Sequence, residues 1–108
     1  MVRPSDLANS YHDNRMYASA AYNNVVIVSP VQKYQIEKTK IHWFLIVGKN
    51  DHPSIVFEFE KEPKAEGAIW IEGKVVGCID DKKERQLPGF DFYIRVTDCR
   101  IVQRPTSR

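Results

Sequence analysis

The sequence lacks the residues that several classes of protein require. Its two cysteines, Cys78 and Cys99, are too few for a disulfide framework and too far apart for a CxxC redox or zinc motif. Its five glycines are scattered and form no glycine-rich phosphate loop. A net charge of +2 is far from the dense Lys and Arg excess of a protein that coats bulk DNA. Any anion-binding role must therefore depend on where the charges lie.

Long apolar runs are also absent from the sequence. No stretch approaches the roughly 18 apolar residues of a membrane-spanning helix. The first residues are polar and include Asp6 and Asp13, unlike a secretory signal. As written, the sequence predicts a cytoplasmic protein without a membrane span. The location would be periplasmic or the cell envelope if a signal segment had been removed.

The two cysteines leave two interpretations open. The first is a pair of buried, unbonded thiols, because free cysteine is among the residues most often found in protein interiors. The second is one disulfide between the last two predicted strands, which would imply an oxidising compartment.

The composition is that of one small globular domain. A chain of 108 residues is close to the commonest size of a single domain. With 43% hydrophobic and 28% charged residues, it is close to the average for folded proteins. We divide it into a helix at 1–23 packed on a barrel at 24–104, followed by a flexible tail at 105–108.

The first part of the chain has the spacing of a helix. Ser5 is a predicted N-cap, and Asn23 and Asn24 are predicted to end the helix because asparagine tolerates the left-handed conformation. One helical face is marked by residues at steps of four, three, four and four: Leu7, Tyr11, Asn14, Ala18 and Tyr22. Of these, Leu7, Tyr11, Ala18 and Tyr22 are predicted to be buried against the barrel.

After Asn24 the periodicity changes to short β-branched and aromatic runs bounded by turn formers. Pro30 predicts a bend in the first strand, while Gly73 and Gly77 predict kinks in the fourth. Five strands are predicted, over about 25–36, 40–47, 54–60, 68–79 and 90–102. Five short strands after a helix indicate a closed or nearly closed β-barrel.

Two segments of the chain resemble the bacterial OB-fold family called tRNA-anti-like. They are Leu7-x3-Tyr11-x2-Asn14-x3-Ala18-x3-Tyr22 and the closing Thr97-Asp98-Cys99-Arg100-Ile101. The resemblance implies a mainly β fold, with an N-terminal helix followed by a five-stranded OB-type β-barrel. It also implies a nucleic-acid-binding module, often an envelope lipoprotein, with no catalytic residues. The chain departs from the family at Ser29-Pro30, where a glycine is usual, and in having no lipoprotein signal.

OB barrels generally bind ligands around strands two and three, between the loop joining strands one and two and the loop joining strands four and five. Basic and aromatic side chains fall at these places. The predicted nucleic-acid-binding residues are Lys38, Lys40, His42, Phe44, Lys82, Lys83 and Arg85. Phe44 has an alternative role, packing under the helix or in a dimer contact. Trp43 is interpreted as a core residue and Trp70 as the aromatic most exposed to solvent.

Two functions from different classes remain open. The first is single-stranded nucleic-acid binding through the basic loops and strand aromatics. The second is a protein-interaction module that uses the barrel face or the helix, since Asp80, Asp81 and Glu84 share the last loop with its cations. An enzyme is not predicted, nor is a metal or cofactor. His12, His42 and His52 lack zinc-ligand spacing, and no serine lies in a GxSxG elbow.

Overall fold

A computed structural model of the chain describes residues 1–48, 53–80 and 92–104. The protein is mainly β, with two short helices and six strands that form one sheet. The helices are α1 (Pro4–Asp13) and α2 (Arg15–Tyr22). The strands are β1 (Val26–Val31), β2 (Gln35–Lys38), β3 (Trp43–Val47), β4 (Ser54–Phe59), β5 (Ile69–Ile79) and β6 (Tyr93–Val102). The predicted tail at 105–108 lies outside the described residues.

The single predicted helix is two helices, because the backbone leaves the helical region at Asn14 (φ −153°, ψ 88°). The Asn14 side chain accepts a hydrogen bond from the Tyr17 N–H at 3.1 Å, which caps the start of α2. The prediction of Ser5 as N-cap is wrong. The N-cap is Arg3, two residues earlier, and Pro4 lies in the first turn, where a missing N–H costs nothing.

The predicted helix face packs on the sheet. Leu7, Tyr11 and Ala18 are fully buried, while Tyr22 is partly buried. The Tyr11 hydroxyl donates to the Asn23 Oδ1 atom at 2.5 Å, and the Asn24 N–H donates to the Val75 carbonyl at 2.7 Å. The first bond joins α1 to the end of α2, and the second joins the chain just after α2 to β5, at the point where the Asn pair predicts the helix to stop.

The predicted first strand is also divided, so the sheet has six strands rather than five. Its halves, β1 and β2, lie at opposite edges of the order β1-β5-β6-β4-β3-β2. Pro30 lacks a backbone N–H, but it is tolerated in β1 because this edge strand has a neighbouring strand on one side only. On the other side, no ladder hydrogen bond has to be donated. The pairing of β4 with β6 is parallel, and the other pairings are antiparallel.

The sheet must curl, because residues 32–34 alone connect its two edges. Such a link spans at most about 14 Å, whereas the edges of a flat six-stranded sheet lie about 24 Å apart. Among the described residues, no hydrogen-bonded ladder joins β1 to β2, so the sheet is not closed into a barrel.

The inner face of the curled sheet holds the main hydrophobic core. Leu45, Phe57 and Val96 lie there with the buried residues of the helices. A second cluster, which we call the outer cluster, is buried on the opposite face and contains Phe44, Ile46, Val56, Ile79 and Tyr93. The middle of β3 and β4 is therefore buried on both faces, which explains the unbroken apolar run at 43–47.

The longest pairing, β5 with β6, is irregular at the predicted kinks. Asp98 and Cys99 together oppose Gly73, and Asp98 adopts a left-handed conformation (φ 53°). A Cβ atom at Gly73 would lie 2.6 Å from Val96 Cγ1 and 2.7 Å from Cys99 Sγ. Glycine is required there because the bulged strand comes so close to the β5 backbone.

Both cysteines are free, so the disulfide interpretation is wrong. Cys78 pairs with Ile94, whereas Cys99 lies beside Gly73. Five residues of extended strand separate those positions on β5, a distance of about 16 Å. A disulfide requires Cα atoms within about 7 Å of each other.

The raised pKa of the Cys78 thiol leads us to expect a loss of stability at alkaline pH. Burial raises its pKa to about 11, although the Arg15 charge opposes the shift. The folded state then holds the proton more tightly than the unfolded state, so the stabilisation is complete below pH 9 and disappears by about pH 11. Because Cys78 is only half-buried, we expect this pH-dependent contribution to the free energy of unfolding to be roughly 1 kcal/mol. Urea denaturation should show a flatter pH dependence from 9 to 11 in Cys78→Ala.

Tyr11→Phe is the comparison, since burial raises the pKa of Tyr11 to about 12. In that variant, the pH dependence of the free energy of unfolding should be flatter than in wild type only above pH 10. Identical profiles for Cys78→Ala and wild type would contradict the assignment.

Candidate ligand-binding face

A polar group lies beside the outer cluster, on the outer face of the sheet. We call it the polar cluster and define it as His42, Glu58 and Arg95. The Glu58 side chain is only 7% exposed, yet it carries a carboxylate. Arg95 Nε donates to Glu58 Oε2 at 2.8 Å and Arg95 Nη2 donates to Oε1 at 3.3 Å. His42 Nδ1 lies 3.4 Å from the same Oε1 atom.

Strand register explains why these three side chains meet. Glu58 is directly opposite Phe44 on β3, and Arg95 is opposite Val56 on β4. Residues two apart on a strand share a face, so His42, Glu58 and Arg95 all lie on the outer side as close neighbours.

Arg95 is an ion-pair partner of the buried Glu58 carboxylate and contacts it through two hydrogen bonds. A buried carboxylate without a partner would cost several kcal/mol. The hydrogen bond to Glu58 raises the pKa of Arg95, while burial lowers it by less. The Arg95 side chain is 24% exposed, and its Nη1 atom donates no hydrogen bond within the described part of the chain.

A tight turn between β2 and β3 lies next to the polar cluster. The Thr39 N–H donates to the His42 carbonyl at 2.9 Å, and the His42 N–H donates to Thr39 Oγ1 at 3.3 Å. Lys40 and Ile41 project from the tip of this turn and are exposed. Lys38 Nζ lies 5.2 Å from the centre of the Trp43 ring, within cation–π range. We call residues 38–42 the basic turn.

The structure places the predicted site residues in different environments. Lys38, Lys40 and His42 come together in the basic turn. Phe44 is in the outer cluster with 2% of its surface exposed, and its ring centre lies 6.4 Å from that of His42 in an edge contact. Lys82, Lys83 and Arg85 lie outside the described residues. Trp43 is partly buried and packs against the main core, as predicted. Trp70 is also only partly buried, but it is not the most exposed aromatic residue, because 72% of the Tyr17 surface is exposed.

Two members of the polar cluster were missed in the sequence. In the predicted third strand, at 54–60, apolar residues at 55, 57 and 59 alternate with residues at 56, 58 and 60, which predicts one face in the core and the other in solvent. Val56 and Glu58, predicted to face solvent, are both buried. That prediction is wrong because β4 lies between β3 and β6, where the outer face is also covered by neighbouring side chains. No local sequence signal places Arg95 beside Glu58, because the two side chains meet only through the parallel pairing of β4 with β6.

Two open clefts lie elsewhere on the protein. One, of about 520 Å³, is between residues 59–64 and the β6 bulge at 98–101. The other, of about 620 Å³, is between the start of α1 and residues 30–33. Neither is lined by residues 38–42, and the first is bordered by cations and carboxylates in similar number.

Other features give no further indication of function. Within residues 1–48, 53–80 and 92–104, no group of three or more potential metal ligands is present. No helix in these ranges is long and apolar enough to cross a membrane. No protein-family model matches the chain, and no curated protein matches its sequence. The resemblance to the tRNA-anti-like family stays a prediction.

Replacing Arg95 tests whether the polar cluster stabilises the fold. Arg95→Met leaves the Glu58 carboxylate buried with His42 as its remaining partner, so we expect a loss of about 2–4 kcal/mol in urea denaturation. Arg100→Met is the matched control on the same strand. Its ion pair with Glu72 is open to solvent, with the Arg100 side chain 70% exposed, and should contribute less than about 1 kcal/mol. Equal losses in the two variants would contradict the assignment.

Proposed function

We propose that the chain is an OB-type binding module that takes single-stranded nucleic acid on the outer face of β2, β3 and β4. The observation that carries the proposal is the strand order β1-β5-β6-β4-β3-β2. If β1 and β2 are counted as one bent strand, the first strand pairs with both the second and the fourth. The third strand then lies parallel to the fifth. This connectivity supports an OB-type arrangement, whose ligand face is built around strands two and three.

The charges of that face support an anionic ligand. Lys38 and Lys40 are exposed and belong to the same turn as His42, which lies 3.4 Å from Glu58, the partner of Arg95. Glu37 lies opposite Phe44 on the same face, whereas Lys38 is opposite Trp43. The Glu58 carboxylate repels an anionic ligand only weakly, because its negative charge is paired with the positive charge of Arg95. The sequence adds Lys82, Lys83 and Arg85 from the last loop to the proposed surface.

Burial of Phe44 changes how a base would be held. With 2% of its surface exposed, Phe44 has little ring surface available for stacking. His42 is more accessible, and the edge of Phe44 lies against its ring. In the proposal His42 therefore stacks on a base while Phe44 supports it, since a stacked base contributes about 1–3 kcal/mol.

The proposed affinity is modest. Each phosphate contact contributes about −0.7 to the slope of log K against log salt for a single strand. With few cations, the proposal predicts a shallow slope and roughly micromolar binding or weaker at physiological salt.

The decisive variant is Lys38→Glu with Lys40→Glu. Fluorescence anisotropy with a labelled, unstructured oligonucleotide at about 50 mM salt should show wild-type binding, and the double variant should lose it. Stability should change little because exposed charges contribute little to folding. Lys64→Glu with Lys74→Glu is the control, since it alters net charge equally with two exposed lysines outside the basic turn. Equal losses of oligonucleotide affinity in both double variants would show that net charge alone explains the effect, and would contradict the proposed surface.

A protein-interaction module is the second candidate, favoured by a specific observation. The α2 helix exposes Met16 and Tyr17, and the neighbouring β1 exposes Val26. Exposed apolar side chains of this kind fit a protein partner better than an anionic polymer. Binding through them should depend little on salt. Absence of oligonucleotide binding by wild type at about 50 mM salt would favour this candidate over the first.

A further inference from the structure

Ile41 lies at the tip of the basic turn with 78% of its surface exposed. Single exposed aliphatic residues are common and need no explanation by themselves. Ile41 differs in its surroundings, because Lys40 precedes it, His42 follows it and Lys38 is anchored nearby on the Trp43 ring. An apolar side chain is therefore presented to solvent in a turn that carries two lysines.

The turn that presents Ile41 is held in one shape. Backbone and side-chain hydrogen bonds between Thr39 and His42, of 2.9 to 3.3 Å, close it on both sides. His42 is further held by Glu58, 3.4 Å away on the next strand. A side chain on a turn fixed in this way loses little conformational entropy when a ligand binds.

The energy needed to insert a side chain between bases indicates which nucleic acid suits the tip of the basic turn. Proteins insert aliphatic side chains between nucleic-acid bases, but opening a stacked duplex step costs a few kcal/mol. Few cations border the basic turn, so their phosphate contacts are too few to offset that cost. A single strand whose bases are already unstacked does not impose it.

On the basis of the proposed function, we propose that Ile41 inserts between two neighbouring bases of a single strand while Lys38 and Lys40 contact the flanking phosphates. Ile41 then contributes affinity without contributing charge. The inserted side chain also makes the site selective for single strands over duplexes.

The test compares Ile41→Ser, Ile41→Trp and wild type in anisotropy titrations with an unstructured oligonucleotide over a range of salt concentrations. We expect Ile41→Ser to weaken binding about tenfold and Ile41→Trp to strengthen it, because an indole stacks better on bases. The slope of log K against log salt should stay at the wild-type value in both, since no phosphate contact is lost. Met16→Ser is the control, as Met16 is 85% exposed on α2 and should leave binding unchanged.

The outcomes separate this inference from the proposed function. Wild-type binding that Ile41→Ser leaves intact would overturn the role of Ile41 alone. A changed salt slope in Ile41→Ser would also overturn it, because the variant would then have disturbed the phosphate contacts. Absence of oligonucleotide binding by wild type would overturn both proposals. A duplex bound as tightly as the single strand would contradict insertion.

Discussion

The connection between the two edges of the sheet is the constraint on which the rest of the structure depends. Residues 32–34 join β1 to β2, although these strands lie at opposite ends of the strand order. The connection is held in place by the Tyr34 hydroxyl, which donates to the Gly67 carbonyl at 2.9 Å. So short a link forces the sheet to curl and separates an inner face from an outer one. Without that curl, the helices would have no concave surface to cover.

The curl gives the two faces different chemistry. The inner face is filled by apolar side chains and by the buried residues of α1 and α2. The outer face combines a buried apolar cluster with the ion pair of Glu58 and Arg95. Replacing a buried ion pair by apolar residues often costs a protein nothing. The retention of charge here, next to the exposed basic turn, is what favours a binding role for this face.

Much of the fold follows from local sequence signals, and the remainder depends on contacts between distant residues. Helical spacing predicts the face of Leu7, Tyr11 and Ala18, which the structure confirms. The break at Asn14 was missed because asparagine also fits the helical spacing, while its capping bond to Tyr17 depends on local backbone geometry. Lys38 and Lys40 were identified because turns expose charge. Arg95 was missed, because its role depends on a parallel pairing between residues 39 apart in sequence.

The central claim is that the outer face around the basic turn is the ligand surface, and chemical-shift mapping tests it most directly. Unlabelled single-stranded oligonucleotide would be added to isotope-labelled protein, and amide shifts would be followed residue by residue. If the ligand binds this face, the largest changes should cluster at residues 38–42 and around Arg95, with small changes on α2. Changes concentrated at Met16 and Tyr17, or no changes at all, would contradict it.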